Sequence, residues 1–404
     1  VLVGVVLPGV SRRTVVEHLD ELAQLVDTAG GQEVGRVVQE RAAPDPAFFI
    51  GRGKVGEVAA LVGDTGARLV VFDDDLTGAQ VRHLEEELPE GVKVVDRAGV
   101  ILDIFALRAR TREAQTQVEL AQLKYLLPRL TRRWTHLSRQ AGGIGTRGVG
   151  ETQLETDRRI IRRRIAHLER RLAEVERERE VQRRRRSGVP AVALVGYTNA
   201  GKSTLFSTLT GAATLIEDRL FATLDPRVRR AELGDGLVVT VADTVGFIRK
   251  LPHHLVASFR STLAEALHAD VLIHVVDASH PAWAEQWRVG EEVLASLGVD
   301  PAGCVLALNK LDLLEDPPNP PLQRPAVALS ARTSAGLEEL RRVLRQRILA
   351  LPDLQVLRFP AEGGEALRLA LAREEVLAQR FTPAGIELVV RRGGGRPSAA
   401  GGDS

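Results

Sequence analysis

Methionine is absent from these 404 residues, cysteine occurs once, and aromatic residues make up only 4%. A single cysteine, Cys304, excludes an internal disulfide and a cysteine-built metal cluster. Its place in the apolar run CVLAL points to a packed core thiol rather than a reactive one. No stretch approaches the roughly 18 consecutive apolar residues of a membrane-spanning helix, and the residues after Val1 lack the charged-then-apolar order of a secretory leader. The expectation is a cytoplasmic chain whose true start precedes Val1. Lysine is also scarce, with six among 55 basic side chains, and two of the six fall in motifs described below.

What is present is a hydrophobic content of 44% beside 27% charged residues, the balance of a soluble globular protein. A chain of this length implies two to four domains. Net charge is only +2, but it is unevenly spread. Residues 129–186 hold 18 arginines, no lysine and 8 acidic side chains, so 18 − 8 gives +10 there and −8 for the remainder. A segment of that charge suits a polyanion such as nucleic acid.

Along the chain, residues 1–112 alternate short apolar runs (VLVGVVL, RLVVFD, VKVVD) with amphipathic stretches, which reads as a small α/β domain. Residues 113–186 read as a long helical hairpin. Its first arm, EAQTQVELAQLKYLL, ends at Pro128, and its second, from about Thr156, spaces Ile161, Ile165, Leu168, Leu172 and Val175 as a coiled-coil seam. Between the arms lies the glycine-rich, basic RQAGGIGTRGVGE. A new domain opens at AVALVG and spans 187–350; a small α/β domain, expected as a βαβ unit, takes 351–392; and 393–404 read as a disordered tail.

The strand AVALVG runs directly into GYTNAGKST, which fits G-x-x-x-x-G-K-[ST] from Gly196 to Ser203 in the strand, loop, helix context that the motif requires. Backbone amides of Gly201, Lys202 and Ser203 can face phosphate oxygens, Lys202 can reach the β- and γ-phosphates, and the Ser203 hydroxyl suits Mg²⁺. Further on, FATLDP carries Thr223, LVVTVADTVG ends a buried strand at Asp243 with Gly246 beside it, LALNKLD carries Asn309 and Asp312, and ALSAR supplies Ser330 to Arg332. A carboxylate at Asp312 can accept from both N1–H and the exocyclic amine of guanine, a pairing that adenine lacks, so the series selects GTP over ATP.

These motifs resemble those of the translation-factor-related GTPases, and more closely the HflX family. The closer likeness rests also on PDPAFFIGRGKVGEV, DIFALRARTREAQTQVELAQLKYLLPRLTRRW and RQAGGIGTRGVGETQLETDRR, outside the nucleotide site, and covers most of residues 44–335. One departure is Val149, where the family usually has a proline that would pre-set φ in the glycine-rich loop. The resemblance implies a multidomain α/β protein with a P-loop GTPase domain built on a mainly parallel sheet, after the small α/β domain and hairpin and before the C-terminal βαβ domain. It implies a nucleotide site drawn from Gly196, Tyr197, Thr198, Asn199, Ala200, Gly201, Lys202 and Ser203; Phe221, Ala222, Thr223, Leu224 and Asp225; Asp243, Thr244, Val245 and Gly246; Asn309, Lys310, Leu311 and Asp312; and Ser330, Ala331 and Arg332. Within that set Lys202, Thr223, Gly246 and Asn199 are assigned to catalysis, and Ser203 and Thr223 to Mg²⁺. Asn199 matches the position at which some related GTPases hold K⁺, a second candidate cofactor. The implied partners are GTP, GDP, the large ribosomal subunit and its RNA, with the loop from Gly142 to Gly150 at the tip of the arm and the free chain monomeric. The implied activity is GTP hydrolysis tied to splitting or rescuing ribosomes under stress.

Two rivals remain open: a GTP-dependent switch recruiting a protein through the hairpin, and an ATP-driven RNA remodeller using the N-terminal domain. Gly51 to Lys54 (GRGK) are expected to be a turn and helix start, and Asp73 to Asp75 a polar loop capping the next helix. His253 and His254 receive no proton-transfer role. Phe247 stands where many GTPases place a water-orienting glutamine, which predicts slow intrinsic hydrolysis.

Overall fold

The computed structural model describes residues 1–130, 153–185, 188–212, 220–221, 223–250, 268–316 and 325–391. Two compact units result, Val1–Glu176 with Lys250–Arg260, and Arg177–Arg249 with Ser261–Ser404. The glycine-rich tip, Val149, Ala222, His253 and His254 lie outside the described residues.

In the first unit, four parallel strands form a sheet in the order β2-β1-β3-β4: β1 Leu2–Val6, β2 Arg36–Glu40, β3 Leu69–Phe72 and β4 Lys93–Asp96. Parallel strands need crossovers, and α1 Arg12–Thr28, α2 Arg52–Thr65 and α3 Gly78–Glu87 supply them. Val3, Val5, Val70 and Phe72 from the strands pack with Val55, Val58, Val62 and Leu84 from the helices. The GRGK segment is a helix start, with Gly51 as the N-cap of α2, its N–H donating to Gln39 Oε1 at 2.8 Å, and Lys54 paired with Glu57.

The Asp73 to Asp75 segment differs from expectation. Helix α3 is capped by Thr77, in a reciprocal box with Gln80, and Asp73 turns into a buried charge network instead. Arg97, 1% exposed at the start of α4 Arg97–Arg108, donates to Asp73 through Nε (2.9 Å) and Nη2 (2.5 Å) and to Glu21 at 2.5 Å. Lys250 closes the network on Asp73 at 2.6 Å and Asp74 at 2.5 Å. Chemistry compels this arrangement, because a guanidinium out of water needs carboxylates around it.

Helix α5 Arg112–Leu126 ends before Pro128 as its sequence requires, and α6 Gln153–Arg185 follows. Ile161 and Leu168 of the α6 seam are buried, whereas Ile165, Leu172 and Val175 are half-buried. Ion pairs Arg164–Glu119 and Lys124–Glu169 tie α6 to α5.

The second unit is built on six strands in the order β10-β9-β8-β5-β7-β6, parallel except for β6 against β7. These are β5 Ala191–Gly196, β6 Arg227–Glu232, β7 Val238–Asp243, β8 Val271–Asp277, β9 Val305–Asn309 and β10 Ala326–Ala328, with α7 Lys202–Thr210, α8 Trp283–Ser296 and α9 Leu337–Leu349 among its helices. Strands β8 and β9 are buried along their full length, which suits their mostly apolar sequences, VLIHVVD and VLALN, broken only by His274 and the polar ends Asp277 and Asn309. Cys304, immediately before β9, is a buried thiol with Sγ 3.9 Å from Asp300 O. After α9 comes the small C-terminal sheet, in the order β11-β13-β12. Its elements are β11 Leu354–Phe359, α10 Gly364–Arg373, β12 Glu375–Thr382 and β13 Gly385–Arg391. The expected βαβ unit thus has a further strand and is antiparallel: β12 follows the helix and pairs with β13, as does β11.

Candidate nucleotide site

Strands β5, β7, β8 and β9 all deliver their C-terminal ends to one edge of the sheet, where open α/β folds bind ligands. Residues 197–201 link β5 to α7, so backbone amides at the start of α7 point into the loop that they close. Gly201, with φ +92°, permits that turn; a Cβ here would lie 2.2 Å from Asn309 Nδ2.

Lys202, 6% exposed, donates from Nζ to Gly196 O at 3.1 Å and Tyr197 O at 2.7 Å. Burial lowers its pKa to about 8 despite the opposing pull of Asp243. Ser203 Oγ donates to Asp243 Oδ2 at 2.7 Å, Thr223 Oγ1 reaches the same oxygen at 3.1 Å, and the two hydroxyls lie 2.9 Å apart. Asp243 is fully buried, and its Oδ1 has no hydrogen-bond partner among the described residues. Burial raises its pKa, against Ser203, Lys202, Thr223 and Arg227. Two hydroxyls and an orphaned carboxylate oxygen form a hard-oxygen donor set that fits Mg²⁺.

The segment after Asp243 is stitched onto the phosphate loop. Thr198 N donates to Phe247 O at 2.7 Å, Phe247 N to Gly196 O at 2.9 Å, and Arg249 N to the Tyr197 hydroxyl at 2.9 Å. Gly246 sits so close that an added Cβ would meet Thr198 Cα at 2.8 Å and Lys202 Nζ at 2.9 Å. The Phe247 ring is 1% exposed, so its position in the sequence serves packing. Thr244 donates to Leu194 O at 2.6 Å, and Val245 is buried.

At the other end, Asn309 is 2% exposed and bonds on both sides of its amide, Nδ2 to Ala200 O at 2.9 Å and Oδ1 from Ala331 N at 2.9 Å. It therefore pins the phosphate loop to the ALSAR segment. Asp312 is exposed, with Oδ1 accepting from Ser330 Oγ at 2.6 Å, which fixes the orientation of its carboxylate. Lys310 adopts φ +65° and places Nζ 2.7 Å from Asp277 Oδ2. Leu311 opens a short 3-10 turn, and Arg332 is exposed. Asn199 has φ +62°; Phe221, with φ +55°, and Leu224 are buried, while Asp225 is half-buried.

The fold thus gathers residues spread from 196 to 332 around one sheet edge. Sequence reasoning passed over Asp277. The available signal was an acidic residue closing the buried strand VLIHVVD, as Asp243 closes β7.

Family models match three consecutive stretches: "GTP-binding GTPase N-terminal" over residues 16–106, "GTP-binding GTPase Middle Region" over 108–186 and "50S ribosome-binding GTPase" over 191–310. Among curated relatives, a GTPase HflX of Escherichia coli is 48% identical over 357 residues, 86% of this chain and 83% of that one. A GTPase HflX of Caldanaerobacter subterraneus is 46% identical over 374 residues, covering 92% and 86%. A GTP-binding protein from Sulfolobus solfataricus, solved with GDP, is 25% identical with a TM-score of 0.43, covering 86% of this chain and 98% of that one.

Proposed function

The chain belongs to the HflX family of GTPases and hydrolyses GTP, and from that premise we propose that it does so on the large ribosomal subunit, splitting or rescuing ribosomes under stress. The observation that carries the ribosomal half of this reading is the +10 charge of residues 129–186, concentrated in arginine, whose planar fork matches phosphate.

In the proposed cycle, Lys202 and the amides around Gly201 hold the phosphates, while Asp312 selects guanine and Asn309 holds the phosphate loop beside it. Ser203 and Thr223 would hold Mg²⁺ with Asp243 behind them, and a bound ion would supply positive charge against the phosphates. The Gly246 amide contacts the γ-phosphate. Loss of that phosphate releases the segments around Thr223 and Gly246, making the GTP form the ribosome-binding one. Phe247 can neither orient nor deprotonate water, so the ribosome supplies the missing catalytic element, with K⁺ beside Asn199 as a second contributor.

Cosedimentation with large subunits, in GDP and in a non-hydrolysable GTP analogue across a salt series, tests the reading. Binding should be stronger with the analogue and fall steeply with salt. Binding indifferent to both would overturn it. The ion pairs between α5 and α6 favour one other reading, a protein-binding coiled coil, which predicts a shallow salt dependence.

A further inference from the structure

We infer that Asp277 is a positioning residue of the guanine-nucleotide site, acting by fixing Lys310 between the loop-pinning Asn309 and the base-recognising Asp312. The inference rests on the nucleotide site and is independent of the ribosomal reading. Asp277 ends β8 directly across from Asn309, its registered partner at the end of β9. The two strands are further tied there by Ala278 N donating to Asn309 O at 3.0 Å.

The two carboxylate oxygens of Asp277 have separate tasks. Oδ1 accepts from Ser279 N at 3.0 Å and from Ser279 Oγ at 2.6 Å, which locks the carboxylate plane. Oδ2 is thereby aimed at Lys310 Nζ, 2.7 Å away. The Asp277 side chain is 12% exposed and that of Lys310 26%, so the pair is shielded but open on the lysine side. Lys310 itself takes a left-handed backbone conformation, which a lysine adopts only when its surroundings hold it there.

A four-carbon stem tethered at its ammonium end has few rotamers left. It therefore offers a fixed apolar edge to a planar base at little further entropic cost. Removing the tether returns that freedom to the free protein, and the loss falls on nucleotide binding rather than on bond cleavage. A merely structural strand-end turn would need only Ser279 and Oδ1, leaving Lys310 irrelevant.

Asp277→Asn keeps the Ser279 bonds and removes the charge facing Lys310. In the full chain, stopped-flow dissociation of a fluorescent GDP should quicken about fivefold, and the KM for GTP should rise by a similar factor with kcat little changed. Lys310→Ala should weaken binding at least as much, and Asp277→Asn added to it should contribute nothing more. Wild-type dissociation in Asp277→Asn, or a full additive effect in the Lys310→Ala background, would overturn the inference. Unchanged GDP affinity in Lys310→Ala would overturn the placement of the base site itself.

Discussion

At the scale of single residues, Lys202 holds its ammonium where water cannot solvate it. Burial brings its pKa to about 8, and an arriving phosphate restores the charged form. The free protein therefore binds fewer protons than the complex above pH 8, so nucleotide binding takes up a proton and weakens as pH rises. Calorimetry of GDP binding at pH 8.5 in two buffers of different ionisation enthalpy should reveal that uptake, and Lys202→Ala should abolish both the uptake and GTP turnover. Phe247 carries a different lesson, because at 1% exposure its ring is a core side chain. Phe247→Gln should cost about 3–5 kcal/mol in urea unfolding, through the lost ring and a buried amide, and should not raise the basal GTPase rate.

At the scale of elements, the first unit joins α1, β3 and α4 through charge as well as apolar packing. Burial alone would raise the Asp73 carboxyl, but Arg97, His18 and Lys250 outweigh it and hold the group well below the usual carboxylate range. A depressed carboxyl contributes stability that is fully present above its unfolded value of about 4 and is lost as pH falls below it. Unfolding followed by circular dichroism from pH 6 to pH 2 should show this loss. Arg97→Met should remove about 3–5 kcal/mol at pH 7, since it leaves Asp73 and Glu21 buried beside fewer cations. The C-terminal helix and β12 mark where periodicity misled: EALRLALAREEVLAQRF has enough helix formers to read as one helix, yet Glu374 is already extended and the chain turns into a strand.

At the scale of the whole molecule, a GTPase whose water-orienting position holds a buried phenylalanine is expected to hydrolyse slowly on its own and faster with its proposed partner. We expect large ribosomal subunits to stimulate GTP turnover by roughly 10³ to 10⁵, the gain that a group supplied in trans provides in such enzymes. Multiple-turnover assays with and without subunits, in K⁺ and in Na⁺, would measure both contributions. A basal rate unchanged between the two cations removes K⁺ from the account.

The sequence by itself determined the family and carried the motifs from which the candidate site is drawn. A lysine, a serine and glycines at fixed spacing after an apolar strand can cradle phosphate only in that order, and a carboxylate at Asp312 offers the acceptor pattern that guanine, unlike adenine, can match. The parallel strands β5 and β9 were legible because AVALVG and the VLAL before Asn309 are continuous apolar runs of strand length. Tertiary structure alone decided what depends on neighbours distant in the chain. The burial of Asp73 against Arg97, the packing of Phe247 along Tyr197 and the tether from Asp277 to Lys310 join residues that no local period relates. Those contacts arise where strand ends converge, and strand order is set by the packing of the whole sheet.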